Sequence, residues 1–165
     1  MIRPPGAGAQ THPERNYAPA IYGSLLVTGI VAVQWKADAS TDPIAATVVV
    51  SVVVFWLAHV WSEIVNRRVR GGIAIDEARE IALDEASMLA SLLLPAIVLG
   101  VGPRLGLSVD TAIEIALVVC ISQLFLWGVV VGRAAHHGWV LPLVVAIVDS
   151  LLGIVLVALK VMVLH

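Results

Sequence analysis

An acid in the middle of a long apolar run is the residue of this sequence with the clearest potential for chemistry. Asp149 has ten residues of the run 139–159 on either side. If that run crosses a membrane, an acid at its centre costs roughly 2.5–3.5 kcal/mol on insertion scales and must face other helices rather than lipid. Three interpretations of Asp149 are open. It is a protonated carboxyl that bonds across helices, a relay for protons or cations, or a contact to a lipid or a partner.

Small residues accompany Asp149 and indicate close helix packing. Ala146 and Gly153 lie three and four residues from it, on the same helical face. Gly128 and Gly132 form a GxxxG pattern near the end of the preceding apolar run. Small residues at such spacings let two membrane helices approach closely. The sequence leaves open whether this face packs inside one chain or between two copies.

A second group of ionisable residues flanks a Gly-Gly pair at 71–72. His59 and Glu63 share a helical face before the pair, and Glu80 and Asp84 share one after it. If the two stretches form an antiparallel hairpin, residues equally far from the turn lie at the same level. We therefore expect His59 to lie near Asp84, and Glu63 near Glu80.

This charged hairpin has three interpretations. It is a lattice of ion pairs that anchors two helices, a site that loads protons because histidine titrates near neutrality, or a metal site formed by its histidine and three carboxylates. The metal interpretation is the weakest, because zinc sites generally contain more His or Cys ligands than one. We predict no bound metal and no cofactor.

Five apolar runs must position these residues, and each is close to the ~20 residues that a helix needs to cross ~30 Å of hydrocarbon. The sequence predicts an all-α, polytopic transmembrane helical bundle that occupies residues 17–165. A short amphipathic cytoplasmic helix leads into its third span, and residues 1–16 form a disordered cytoplasmic tail rich in Pro and Gly. The predicted spans are 18–35, 43–61, 86–101, 111–131 and 139–159.

The positive charges predict the orientation of the chain in the membrane. With five spans, seven arginines fall on one side and three cations on the other. The positive-inside rule then places the N-terminus in the cytoplasm and the C-terminus outside. An A-x-A sequence at 37–39 resembles a signal-peptidase site, so the alternative is a cleaved signal and four spans. The seven arginines are Arg3, Arg15, Arg67, Arg68, Arg70, Arg79 and Arg133, and the three cations are Lys36, Arg104 and Lys160.

Composition excludes several classes of protein. Hydrophobic residues make up 59% of the 165 residues, and the mean hydropathy is +0.96. The continuous apolar runs are unlike the alternating strands of a β-barrel. The net charge of −2 and the lack of a basic patch argue against a nucleic-acid partner. One cysteine cannot form an internal disulfide. Arg exceeds Lys by eight to two, a bias typical of GC-rich bacterial genomes, so we expect a bacterial plasma membrane.

One segment of the sequence carries a resemblance. The string Val-Phe-Trp-Leu-Ala-His-Val-Trp-Ser-Glu at 54–63, with the Arg-rich Gly-Gly turn after it, resembles part of a group of small multi-pass membrane proteins of actinobacterial type. That group has no assigned activity, so the resemblance implies a lineage and no mechanism.

Three functional hypotheses follow, and they belong to different classes. The leading one is a small membrane protein that moves, or couples to, protons or a small ion through Asp149 and the His59/Asp84 pair. The second is an accessory or assembly subunit that associates with itself or with another membrane subunit and uses its buried polar groups only to fix helix packing. The third, a membrane enzyme, lacks any nucleophile or metal set in the sequence.

Overall fold

The computed structural model of this protein describes residues 17–34, 40–71, 75–135 and 138–163. In these ranges it is all-helical, without strands, as the sequence predicts. The predicted tail at 1–16 and the A-x-A sequence at 37–39 lie outside the described residues. The α-helices of the described ranges are α1 (Ala18–Gln34), α2 (Thr41–Gly71), α3 (Ile75–Asp84), α4 (Ser87–Val101), α5 (Val109–Ala135) and α6 (Val140–Val163), and a 3₁₀ turn occupies Pro103–Leu105.

Four segments among the described residues are long and apolar enough to cross a membrane. Helix α1 is apolar but has only 17 residues, which rise ~26 Å against the ~30 Å of a hydrocarbon core. The structure therefore supports four to five membrane-spanning helices, and the predicted count of five depends on α1. The four longer segments are Thr41–Arg70, Glu77–Leu105, Val109–Ala134 and Val140–Lys160.

The outward surface of the bundle is apolar, which is unusual for a protein surrounded by water. Large side chains such as Val54 on α2, Leu126 on α5, and Ile147 and Leu151 on α6 are exposed. Soluble monomers rarely show apolar patches larger than a few hundred Å². An apolar exterior of this kind is consistent with a membrane protein, whose lipid-facing residues are apolar.

Helix α1 lies at the centre of the bundle and packs against α2, α4, α5 and α6. Val27, Val31 and Ala32 have no exposed surface. The buried hydroxyls of α1 bond within their own helix, since Ser24 Oγ donates to the Ala20 carbonyl at 2.9 Å and Thr28 Oγ1 donates to the Ser24 carbonyl at 2.6 Å. The side chains of α1 therefore supply much of the interior that the other helices share.

Contacts between helix termini define the two ends of the bundle. At one end, Arg104 Nη2, just after α4, lies 3.4 Å from Asp42 Oδ1 at the start of α2. At the other end, Gly132 near the end of α5 lies against Pro142 near the start of α6. We call the end where α1, α4 and α6 begin the proximal end. The distal end is the one where α2 and α5 begin.

A bend separates α3 from α4. The backbone N–H of Ala86 donates to Leu83 O at 3.1 Å, and that of Met88 donates to Glu85 O at 3.1 Å. These bonds connect residues three apart, which is the 3₁₀ pattern rather than the α-helical one. The amphipathic helix expected before the third span corresponds to α3, and α4 starts at Ser87, one residue after the predicted boundary.

Candidate functional site

The one histidine of the described residues, His59 on α2, lies next to a carboxylate of the bend before α4. His59 Nε2 lies 3.6 Å from Glu85 Oε2. The His59 side chain is 40% exposed, whereas the Glu85 side chain is only 7% exposed. One partner is thus reachable from outside the bundle, and the other is enclosed by it.

The structure replaces the predicted partner of His59 by the next residue along the chain. Asp84, expected to lie level with His59, is exposed at the end of α3. The backbone N–H of Glu85 donates to Ile81 O at 3.0 Å, an α-helical bond, so Glu85 lies one turn after Ile81 on the buried face, about 100° around the helix from Asp84. Helix α2 and the end of α3 therefore bring a histidine and a carboxylate together, with an offset of one residue from the expectation.

Sequence reasoning missed Glu85, although a signal for it exists. The residues buried along α3 and α4 recur every three or four positions, and Glu85 occupies one of these positions. A helical stripe drawn through the apolar residues would have included Glu85, whereas a stripe drawn through the polar residues passed through Asp84. The buried stripe consists of Ile81, Glu85, Met88, Leu92, Pro95 and Leu99.

Other buried polar atoms belong to the same elements as this pair. Trp56 Nε1, three residues before His59, and Ser87 Oγ, two residues after Glu85, are buried without a hydrogen-bond partner among the described residues. Glu85 Oε2 is also buried without a hydrogen-bond partner, because its distance of 3.6 Å from His59 Nε2 is too long for a hydrogen bond. Most buried polar groups in proteins are hydrogen-bonded, so such exceptions mark functional candidates, and Gln123, Asp149 and Ser150 on α5 and α6 are further ones.

The remaining ionisable residues of the hairpin form local contacts. Glu63 Oε1 accepts a hydrogen bond from Arg67 Nε at 2.9 Å, one turn along α2. Asn66 Nδ2 also approaches Glu63, at 3.4 Å. Glu80 is exposed on α3, and no contact joins it to Glu63 in the described part of the chain. The charged lattice in this region is therefore confined mainly to α2.

Asp149 occupies a different place, the seam between α5 and α6. It is 9% exposed, and its Oδ2 atom has no hydrogen-bond partner among the described residues. This oxygen lies 2.9 Å from the point where a Cβ on Gly128 would stand. The Asp149 side chain fits here only because residue 128 is a glycine.

The small residues singled out in the sequence line this same seam. Gly128 lies against the backbone of Ala146, and Gly132 lies against Pro142. A Cβ on Gly153 would come within 2.6 Å of Leu124 Cδ1. Within one chain, these residues bring α5 and α6 into close contact around Asp149.

The two candidate sites use separate sets of helices. His59 and Glu85 come from α2 and the α3–α4 bend, and Asp149 contacts α5 from α6. Chemically, the first site can hold a proton on either an imidazole or a carboxyl group, whereas the second holds a lone carboxyl in a tight seam. In the ranges that the structure describes, no three His, Cys, Asp or Glu side chains converge as metal ligands would.

Comparisons of this chain with protein-family models, with curated proteins and with solved structures found no match.

Proposed function

We propose that this chain is a small integral membrane protein of a bacterial plasma membrane that binds and releases protons at the His59–Glu85 pair. Through this pair it moves protons, or couples them to the movement of a small ion. The observation that carries the proposal is a buried glutamate beside a half-exposed histidine, with unpartnered polar atoms in the same elements. A histidine changes its charge between about pH 5 and 8, so such a pair can respond to physiological pH changes.

The geometry of the pair suits a site that takes up and releases a proton. The half-exposed His59 gives access from outside the bundle, and the enclosed Glu85 carboxylate lies 3.6 Å from its Nε2 atom. The arginines near residue 70 put this site at the cytoplasmic side in the predicted orientation.

Proton flux across vesicles tests this function directly. The purified chain is reconstituted in phosphatidylcholine vesicles that contain a pH-sensitive dye, and a pH step is imposed with valinomycin and potassium present to balance charge. We expect flux above that of empty vesicles for the wild type, and its loss in Glu85→Gln and His59→Gln, which cannot exchange a proton at that site.

Asp84→Asn is the matched control, because it removes the neighbouring acid that faces outward. We expect this variant to retain wild-type flux. A wild-type protein that behaves as empty vesicles do at every pH from about 5 to 8 contradicts the proposal. Equal losses in Asp84→Asn and Glu85→Gln contradict the assignment of the site to Glu85.

A second function, that of an accessory or assembly subunit, is favoured by one specific observation. Asp149, the other acid considered as a relay, is enclosed by the α5–α6 seam rather than placed next to His59. A carboxyl group enclosed between two helices can determine how those helices pack against each other. Under this alternative the chain shows no flux of its own and co-purifies with a membrane complex.

A further inference from the structure

A groove runs along the central helix near the distal end of the bundle. Helix α1 has α2 on one side and α6 on the other, and between them part of its surface faces outward. The groove has a volume of about 400 Å³. That volume lies within the roughly 300–1,000 Å³ typical of sites for small molecules.

The length of the groove matches one leaflet of a membrane. Its floor extends along α1 from Leu25 to Gln34. Nine residues of helix rise ~14 Å, which is close to half of the ~30 Å hydrocarbon core. A hydrocarbon chain lying in the groove would therefore reach from the membrane surface to about the midplane.

The two ends of the groove differ in chemistry. Leu25, Leu26 and Leu156 line its deeper part, whereas Gln34, Thr47 and Lys160 line the end nearest the membrane surface. In the described part of the chain, Lys160 makes no ion pair. An apolar channel that ends at an unpaired cation and an amide is complementary to a lipid with an anionic headgroup.

We propose that this groove binds an anionic phospholipid of the distal leaflet. One acyl chain lies along α1 between α2 and α6, and the phosphate contacts Lys160 with Gln34 as a second donor. Basic residues near a membrane surface attract anionic lipids, and a groove adds selectivity for a chain at a defined position.

Retention of lipid through purification tests this site. The chain is reconstituted with equal amounts of phosphatidylcholine and phosphatidylglycerol, transferred to detergent, and weighed intact by native mass spectrometry. We expect the wild type to retain phosphatidylglycerol in preference to phosphatidylcholine. Lys160→Gln should lower that retention roughly fivefold, the order expected for one cation at an anionic membrane surface. Lys160→Arg, which keeps the charge, should restore it.

Arg104→Gln is the matched control, because Arg104 is a cation at the same end of the bundle and pairs with Asp42 outside the groove. We expect it to retain phosphatidylglycerol as the wild type does. A second variant, Gly29→Leu, fills the groove, since a Cβ at Gly29 would come within 3.2 Å of Leu156 Cδ2. It should lose the lipid while Lys160 remains, with helical circular dichroism showing that both variants fold.

Three outcomes would overturn the proposal. Equal retention of phosphatidylglycerol by the wild type and Lys160→Gln would remove Lys160 as the headgroup contact. Equal retention of both lipids by the wild type would remove the selectivity. A dimer mass without bound lipid, lost in Gly29→Leu, would show that a second copy of this chain occupies the groove.

Discussion

Glu85 owes its position to the buried face of the helix around it. Asp84 shares a helical face with Glu80 and Ser87, whereas Glu85 lies four residues after Ile81 and three before Met88, on the face that packs inside the bundle. The residue types of this site were predicted, but the partner of His59 was missed because the helical face was drawn through the polar residues. A difference of one residue changes an exposed acid into an enclosed one, and with it the chemistry that the acid can perform.

At this scale we predict that His59 and Glu85 are energetically coupled. Each change to Ala should lower the free energy of unfolding, and the double variant should cost less than the sum, with a coupling above about 0.5 kcal/mol because the side chains are in contact. Reversible unfolding in mixed micelles, followed by circular dichroism, measures this. The matched cycle of His59 with Asp84 should be additive, since Asp84 faces outward. Coupling in the Asp84 cycle but not in the Glu85 cycle would show that the expected pairing was right and the observed one is not.

Asp149 allows a prediction that depends on shape. Asn has nearly the same size and fits against Gly128, so Asp149→Asn should unfold with a free energy close to that of the wild type. The branched end of a leucine at position 149 would lie where the Asp149 oxygen approaches Gly128. Asp149→Leu should therefore lower the free energy of unfolding by about 1–3 kcal/mol through overpacking. The same unfolding assay compares the two. A Leu variant as stable as the Asn variant would mean that the seam is looser than described.

At the scale of elements, the glycines of α5 determine how closely α6 approaches. We predict that Gly128→Ala and Gly132→Ala each destabilise the chain by about 1–3 kcal/mol, because an added methyl group meets backbone atoms of Ala146 or Pro142 that cannot rotate away. Gly100→Ala in α4 is the control, since the nearest atom to its Cβ would be Arg104 Nη1 at 3.9 Å. That change should be neutral or stabilising by up to about 1 kcal/mol, as alanine favours helix. Similar losses at all three glycines would indicate a general effect on membrane helices rather than the seam.

Apolar length was sufficient to predict most elements. The predicted spans at 43–61 and 111–131 lie inside α2 and α5, and the one at 139–159 begins one residue before α6, because in lipid every backbone hydrogen bond must be made within the helix. Length could not predict the bend at 85–86, where 3₁₀ bonds separate α3 from α4. It also could not predict which helix is central, since all of these helices are apolar and the position of α1 is evident only from its contacts.

At the scale of the whole molecule, the orientation in the membrane is a prediction from charge. In a Cys120→Ser background, single cysteines at Ser40 and Ser108 should react with an impermeant thiol reagent added outside whole cells. Cysteines at Gly72 and His137 should remain protected until the membrane is opened. The contact of Asp42 with Arg104 supports a common side for the first two positions. Labelling of the cysteine at position 72 but not of the one at position 40 would show that the orientation is the opposite of the predicted one.

The central position of α1 has a consequence for biogenesis. Of the helices described, α1 is synthesised first, yet it contacts α6, which the ribosome completes more than a hundred residues later. At 5–20 residues per second, that delay is roughly 6–26 s. Helices α2, α4 and α5 are completed during this time, so only the contacts of α1 with α6 are missing until the end. The hydroxyls of Ser24 and Thr28 are already bonded to its own carbonyls, so the helix carries no unsatisfied side-chain donor from these residues while it waits. Completion of the bundle is then a late event, in which α6 packs against a helix that was made first.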